Sequence, residues 1–463
     1  MGPGRLHHRQ PGREAYLALT WKYLSSGTYL AILAALLSLA PLRTAQAQLS
    51  IDDPALLNQR LDDVRIVGNR ITKAEIILRE MITQPGSVTD ERRLRADLHR
   101  VEDLNLFNRV EFRLARLQDQ TVLIITVTEE WYIFPQPYWL FKDNDPEQMI
   151  YGFRYMQKNF RGRNETLNLD LWNGYDRGFS FAHSNPWVQN TPELSRRVEL
   201  RHGTAGSRRE ALKDLGVEER HSSAGVLVGK RWTIDLSSYL GGSFRLIRGE
   251  HPLQTASPGM IDRLMELRTG IVWDARDSHI FPRSGVYLEG GVINGWIMNT
   301  AQGYRRLNLD ARWYYPFTGW ALASRLHWVP GWGNLPPYDW IFMNGTSPLR
   351  SARLEDEGNS FYMASLEARV DLIPVRYFTW KSAPLFKQYF RNLGFGLSSE
   401  LFVDAGDAYF SGHDATRTHM HWGYGGGLLF ILPYVDVVRL ELSWNPEYSW
   451  DATQYSFKTN ISF

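Results

Sequence analysis

The chain has 463 residues, with 52 basic against 50 acidic side chains for a formal net charge of +2, and 13% of its residues are aromatic. That length suits two or three ordinary domains, or one small domain and one large all-β body. The balanced charge supplies no basic stripe for a phosphate backbone, so no nucleic-acid partner is expected; the absence of cysteine excludes a disulfide scaffold, a Cys-ligated zinc site and a thiol nucleophile.

Residues 1–47 read as a secretory signal peptide. Arg5, Arg9, Arg13 and Lys22 precede an apolar run from Tyr29 to Leu39 and the small-x-small site Ala45-Gln46-Ala47, with cleavage expected after Ala47. The run is short for a spanning helix, and no longer one follows it, which argues against a helical membrane protein and leaves a β-barrel open. Residues 48–60 read as a linker.

Residues 61–130 read as a small α+β unit in the order β-α-α-β-β. Val64 to Val67 form a strand that ends in a Gly68-Asn69 turn, and Thr72 with Glu75 predicts a capping box opening a helix to about Met81. Pro85-Gly86 breaks that helix. Thr89 to Glu91 then cap a second one, in which Leu94, Leu98, Val101 and Leu104 recur at helical spacing. Val110 to Leu114 and Val122 to Val127 finish the unit as strands joined by Gln118-Asp119-Gln120.

From residue 131 onward the period changes to two, the strand signature. Leu167, Leu169 and Leu171 alternate with polar residues, as do Val226 and Val228; Leu264, Glu266 and Arg268 alternate against Met265, Leu267 and Thr269, and Val437, Arg439 and Glu441 against Val438, Leu440 and Leu442. Sixteen candidate strands span 131–141, 149–158, 165–173, 177–184, 196–203, 223–232, 236–248, 263–274, 285–294, 304–315, 320–330, 361–372, 393–405, 421–431, 436–445 and 454–463. An even number closes an antiparallel barrel with both ends on one side of the membrane. A soluble sandwich uses the same alternation. The leader and the final strand, which alternates Tyr455, Phe457, Thr459, Ile461 and Phe463, argue for the barrel.

Other motifs are weak. Gly225-x-x-x-Gly229-Lys230 lacks the phosphate-loop spacing and lies in a predicted strand, and Gly423-Tyr424-Gly425-Gly426-Gly427 has no helix after it and reads as strand glycines that permit close packing. Glu355, Asp356 and Glu357 read as a solvated loop tip. No catalytic residue, metal site or cofactor is expected.

Several of these residues carry a resemblance. The Val67-Gly68-Asn69 turn, the stretch from Leu104 to Val110 and the closing Val127-Thr128-Glu129 resemble a POTRA domain, the periplasmic module of the BamA and TamA superfamily of outer-membrane assembly proteins. Asn159 to Glu165, with Gly162, resembles that family's early barrel turn; Asp274-Ala275-Arg276-Asp277 with Pro282 and Gly285 resembles its Asp-x-Arg-Asp and Pro-x-x-Gly hairpin; Phe402 to Gly406 resembles its late Phe-x-Asp-x-Gly strand. Ser347-Pro348-Leu349-Arg350 and Ser365 to Arg369 occupy the place of its inward-folded loop and the strand after it. The resemblance implies an α+β POTRA domain at 61–130 followed by an all-β, 16-stranded antiparallel transmembrane β-barrel at 131–463, in the bacterial outer membrane with the POTRA domain in the periplasm. One departure stands out. The family carries glycine and an aromatic after its loop arginine, whereas Ser351 and Ala352 stand here, which puts the seating of the loop in question.

From these residues three functional features are expected. Arg350 reaches the lumen and pairs with Glu367 and Asp404, which alternation places among polar neighbours and which match the family's acidic partners for that arginine. A lateral seam lies between the first strand, with Pro135, Pro137 and Trp139, and the last, with Phe457, Ile461 and Phe463. The implied function is insertion or translocation of unfolded outer-membrane or secreted proteins, with outer-membrane lipid, periplasmic chaperones and accessory lipoproteins as further partners. A dedicated secretion or solute pore, with the POTRA domain as docking module, is the alternative.

Overall fold

The computed structural model describes residues 48–463 apart from 143–145, 189–190, 192, 208, 343–348, 351–356, 384–385, 412–419, 435, 447–453 and 460–463. The leader at 1–47, Ser347, Pro348, Ser351, Ala352, Glu355, Asp356, Ile461 and Phe463 lie outside these residues.

The first unit comprises β1 (Leu49–Ile51), β2 (Asp63–Val67), α1 (Ala74–Leu78), α2 (Glu91–Glu102), β3 (Phe107–Leu117) and β4 (Gln120–Glu129). Its sheet runs β1-β3-β4-β2, with β3–β4 antiparallel and both outer pairs parallel. Gln118 (φ 48°) and Asp119 (φ 65°) make a two-residue turn with both φ positive, which matches the twist of the strands it joins. Asp90 caps α2 by accepting from the Arg93 amide at 2.9 Å. Leu94, Leu98 and Val101 of α2 are buried against Phe112, Leu114, Leu123 and Ile125.

Three expectations are corrected here. Residues 48–60 are not a linker: β1 pairs with β3 (Leu49↔Phe112), and Leu56 is fully buried in the same core. Three residues are too few for a hydrophobic period to show. Nor do Thr72 and Glu75 form a capping box, since Lys73 is the cap residue and no side chain caps α1. The amides of Ile71 and Thr72 donate instead to the Glu129 carboxylate, at 3.0 and 2.6 Å, and the Thr72 hydroxyl accepts from Asn159 Nδ2 at 2.9 Å. Helix α1 also ends at Leu78, short of Met81.

The buried α2 face leads to a stability prediction. Leu98→Asp places an unpaired charge in a core this small, at a cost of several kcal/mol, comparable with the whole stability of such a unit. Residues 48–130 expressed alone are expected to show a cooperative circular-dichroism melt that the substitution abolishes; an unchanged melt in the variant would refute this packing.

The rest of the described chain is one closed barrel. Its staves are β5 (Ile133–Phe141), β6 (Met149–Phe160), β7 (Glu165–Gly174), β8 (Arg177–Asn185), β9 (Leu194–Gly206), β10 (Glu218–Arg231), β11 (Leu236–Gly249) and β12 (Ile261–Asp274). They continue with β13 (Gly285–Ile297), β14 (Gln302–Phe317), β15 (Trp320–Val329) and its extension β16 (Gly331–Gly333), β19 (Ser360–Phe378), β20 (Leu393–Tyr409), β21 (His421–Leu432), β22 (Asp436–Trp444) and β23 (Gln454–Thr459). A small pair, β17 (Ile341–Phe342) with β18 (Glu357–Gly358), lies in the loop between β16 and β19. Counting β15 and β16 as one stave, sixteen antiparallel staves close with β23 beside β5, as the sixteen-strand reading required. Alternation sorts the faces: Met265, Leu267, Ile271 and Trp273 are exposed on the outside of β12 while Leu264 and Glu266 are buried inside. An apolar outer belt around a charged interior is what a wall between lipid and water requires.

The α+β unit lies across the end of the barrel where β5 begins and touches five of its turns. The Lys73 amide donates to Gly162 O at 2.9 Å. Gly162 has φ +72°, and a Cβ there would stand 2.1 Å from Ile71 O, so only glycine allows this approach. The Arg79 guanidinium stacks 4.8 Å from the Trp187 ring centroid, and Arg231 pairs bidentately with Glu80 at 2.9 and 2.7 Å. Asp103 accepts from Ser278 Oγ (3.1 Å) and the His279 amide (3.0 Å), and Asn108 Nδ2 donates to Tyr389 O at 2.8 Å.

Candidate functional site

The loop between β16 and β19 turns back into the barrel and is held on two arcs of the wall. The first anchor is the short turn Pro337–Asp339. Arg245 of β11 donates to Asp339 at 2.8 Å and to Glu266 of β12 at 3.0 Å, Tyr304 lies between the two acids, and Arg306 donates to Asp339 O at 2.6 Å. Tyr338 adds a hydrogen bond to Asp262 at 3.0 Å.

The second anchor is Arg350. Its Nε and Nη2 form a fork on Asp404, both at 2.8 Å; Nη1 donates to Glu367 at 2.9 Å and to Glu441 at 3.3 Å, and Nη2 also donates to Ser365 Oγ at 3.0 Å. The guanidinium carbon stands 3.5 Å from the centroid of the Phe402 ring, and Ser443 Oγ donates to Arg350 O at 2.8 Å. Glu367 and Asp404 are 0% and 1% exposed. Arg439 bridges Glu400 (2.9 Å) and Glu367 (3.4 Å), and Arg369 pairs with Glu367. Charges this deep are tolerable only when each is paired and hydrogen-bonded.

The strand period explains why these side chains meet. Ser365, Glu367 and Arg369 on β19, Glu400, Phe402 and Asp404 on β20, and Arg439, Glu441 and Ser443 on β22 each occupy alternate positions on one face of their strand. Between β20 and β22 runs β21 with Gly425 and Gly427 opposite the hub. A Cβ on Gly425 would stand 2.5 Å from Phe402 Cζ, and one on Gly427 3.0 Å from Glu400 Oε1. These glycines leave room for side chains to reach across β21, the close packing expected of them.

The turn between β12 and β13 joins the same set. Arg276 forks onto Asp274 with both contacts at 2.7 Å, Asp277 accepts from the Arg283 amide at 2.9 Å, and Gly285 (φ +105°) would put a Cβ 2.2 Å from Ala275 O. Pro282 O accepts from Arg369 Nη1 at 3.2 Å, so the turn meets Glu367 and Arg350 through Arg369. Gly406 faces Met363 across the β19–β20 ladder, where a Cβ would lie 2.4 Å from Tyr362 O. At its other side the turn holds Asp103 of the first unit. Burial raises the Asp103 carboxyl above its ordinary pKa, and His279 opposes that shift. Direct contacts thus run from the α+β unit through the turn to the loop arginine.

At the closure of the barrel, the Lys158 amide donates to Tyr132 O at 2.8 Å, one pair before β5 begins, and β5 then pairs in the same register with β6. Even-numbered residues of β5 therefore turn their backbone groups to β6, and odd-numbered ones turn away from it. Pro135 and Pro137 place their donor-less nitrogens on the edge beside β23. Trp139 is 69% exposed on the outer face. Phe457 stands opposite Leu440 in the β22–β23 ladder.

Sequence reasoning singled out Arg350, Glu367 and Asp404, and the structure brings them together. It did not assign Glu400, Arg439 and Glu441 to the hub, although the alternation of Arg439 and Glu441 was visible. The Asp339 anchor lies in irregular chain and carries no periodic signal. Gly225, Gly229 and Lys230 lie inside β10, where no phosphate loop forms.

The "Omp85 superfamily domain" model matches residues 159–463, and "Surface antigen variable number repeat", a POTRA model, matches residues 59–130. Among solved structures, CdiB from Escherichia coli is similar at 12% identity and a TM-score of 0.56, covering 87% of this chain and 75% of that one. CdiB from Acinetobacter baumannii is similar at 12% identity and a TM-score of 0.50, covering 86% and 72%. BamA from Haemophilus ducreyi lacking POTRA domains 1-3 is matched at 15% identity and a TM-score of 0.49, covering 87% and 84%. No curated protein matches the chain.

Proposed function

The chain belongs to the Omp85 superfamily, as an outer-membrane barrel with a POTRA domain in the periplasm, and on that premise we propose that it inserts unfolded client proteins into the outer membrane through the seam between β5 and β23. The observation that carries this reading is the edge of β5, where Pro135 and Pro137 withdraw two amide donors from the side that meets β23. In lipid no water replaces a missing ladder bond, so opening costs less there than at a fully bonded pair of staves. The route agrees with a lumen into which the loop residues Asp339 and Arg350 reach, each bonded to the wall. In the POTRA sheet β2 is an outer strand, and an extended client can add to such an edge by main-chain hydrogen bonds with little demand on its sequence.

A dedicated secretion or solute pore is the second reading. It draws on a luminal cavity of about 600 Å³ lined by Lys142, Arg201, Glu219 and Arg245. Depletion followed by an inventory of outer-membrane proteins separates the two. General loss of barrel proteins is expected for the proposal, whereas loss of one secreted species would overturn it in favour of the pore.

A further inference from the structure

Between Leu372 and Ser399 the chain carries Arg376, Lys381, Lys387 and Arg391 and no carboxylate. The segment is the end of β19, the turn after it and the start of β20, at the periplasmic end of the barrel. It follows directly on Leu372 and Ile373, exposed apolar residues of the outer belt. Lys381, Lys387 and Arg391 are exposed, as are Trp380 (40%) and Phe386 (54%).

The turn is braced from its other side. Trp131 packs on Phe386 and Tyr389 with ring centroids 4.9 and 5.1 Å apart, Tyr434 donates to Tyr389 O at 2.5 Å, and Asn392 Nδ2 donates to Thr128 Oγ1 at 3.0 Å. These contacts fix Phe386 and the backbone at Tyr389 and Asn392, next to the exposed Lys387 and Arg391. Aromatic rings with cations beside them, at the edge of a lipid-facing wall, suit the interface between membrane and water, where rings sit at headgroup level and cations meet anionic headgroups.

We propose that the exposed residues Trp380, Lys381, Phe386, Lys387 and Arg391 between β19 and β20 form a binding surface for anionic phospholipid headgroups of the periplasmic leaflet. The absence of acidic residues over this stretch sets the sign of the partner, and continuity with the apolar belt sets its kind: a lipid with its tails beside Leu372 and its phosphate beside Lys381, Lys387 and Arg391. Each cation near an anionic surface contributes about fivefold in binding, and salt screens the effect.

The test uses the full-length barrel in nanodiscs of phosphatidylethanolamine with phosphatidylglycerol, with retained lipids counted by native mass spectrometry. The wild type is expected to retain phosphatidylglycerol preferentially and to lose that preference as salt rises. Lys381→Gln with Lys387→Gln and Arg391→Gln is expected to reduce the preference on the order of a hundredfold, from three cations at about fivefold each, while Arg248→Gln with Arg263→Gln at the opposite rim leaves it unchanged. Heat-modifiability on a gel reports that each barrel is folded, and Lys381→Gln and Lys387→Gln measured singly stand in if the triple variant fails. Equal retention of both lipids by the wild type, an unchanged preference in the folded variants, or capture of an acidic peptide by the turn without any lipid preference would each overturn the proposal.

Discussion

Arg350→Ala is expected to destabilise the loop-to-wall hub by about 3 to 5 kcal/mol, because it strands carboxylates that are almost fully buried. Asp404 loses both bonds of its fork, and Glu367 and Glu441 lose a shared donor. The remaining cations, Arg369 and Arg439, lie nearer to Glu367 and Glu400 than to Asp404 in the bonding pattern and cannot replace a fork aimed from the loop. The measurement is the temperature at which the folded barrel loses its heat-modifiable mobility in detergent. A large downward shift is expected for Arg350→Ala. Arg350→Lys recovers only part of it, since one ammonium cannot make a planar two-bond contact and stack on Phe402. Adding Asp404→Asn to Arg350→Ala removes the stranded charge and is expected to regain stability, so the cycle is non-additive. A wild-type midpoint for Arg350→Ala, or an additive cycle, would show that the hub is wet and weak.

A disulfide across the closure between β5 and β23 is expected to abolish client insertion while leaving the barrel folded. The chain has no cysteine, so the background is clean. A cysteine at Trp139, paired in turn with cysteines scanned from Tyr455 to Ile461, should include a position that crosslinks, because bridgeable Cα atoms lie within about 7 Å. Each ladder bond contributes about 1 kcal/mol net in water and more in lipid, so two missing donors lower the cost of separating these strands by a few kcal/mol. A covalent bond removes that advantage. Activity is read as the rate at which a client barrel becomes protease-resistant in proteoliposomes, with and without reductant. Reductant should restore the wild-type rate. Full activity in a quantitatively crosslinked protein would rule out the seam and leave the lumen as the route.

The barrel is legible in the sequence because a membrane wall imposes a strict local rule. Every stave must alternate lipid-facing and lumen-facing residues, so each strand announces itself within about ten residues. That is why Met265 and Leu267 sort against Glu266 and Arg268 on alternation alone, and why Glu367 and Asp404 can be placed on inward faces; naming them together with Arg350 rested on the resemblance to the family and not on the period. Short or shared features are not legible. Strand β1 is three residues long, and Thr72 followed by Glu75 satisfies a capping pattern that the fold does not use. The local signal is real, but Asn159 and Glu129, 87 and 57 residues away, compete for the same groups.

The sequence by itself determined the two-part organisation, the number of staves and the charged face of several of them, because periodicity and turn chemistry act over a few residues and leave their record in order along the chain. Which inner-facing charges share a site depended on the closure and register of the barrel. Register sets Arg439 beside Glu400 across a strand of glycines, brings Pro282 to Arg369, and carries Asp339 to Arg245, 94 residues distant. Those pairings depend on long-range geometry in a low-dielectric interior, where an unpaired charge is too costly to persist, and a linear pattern records only that a charge faces inward.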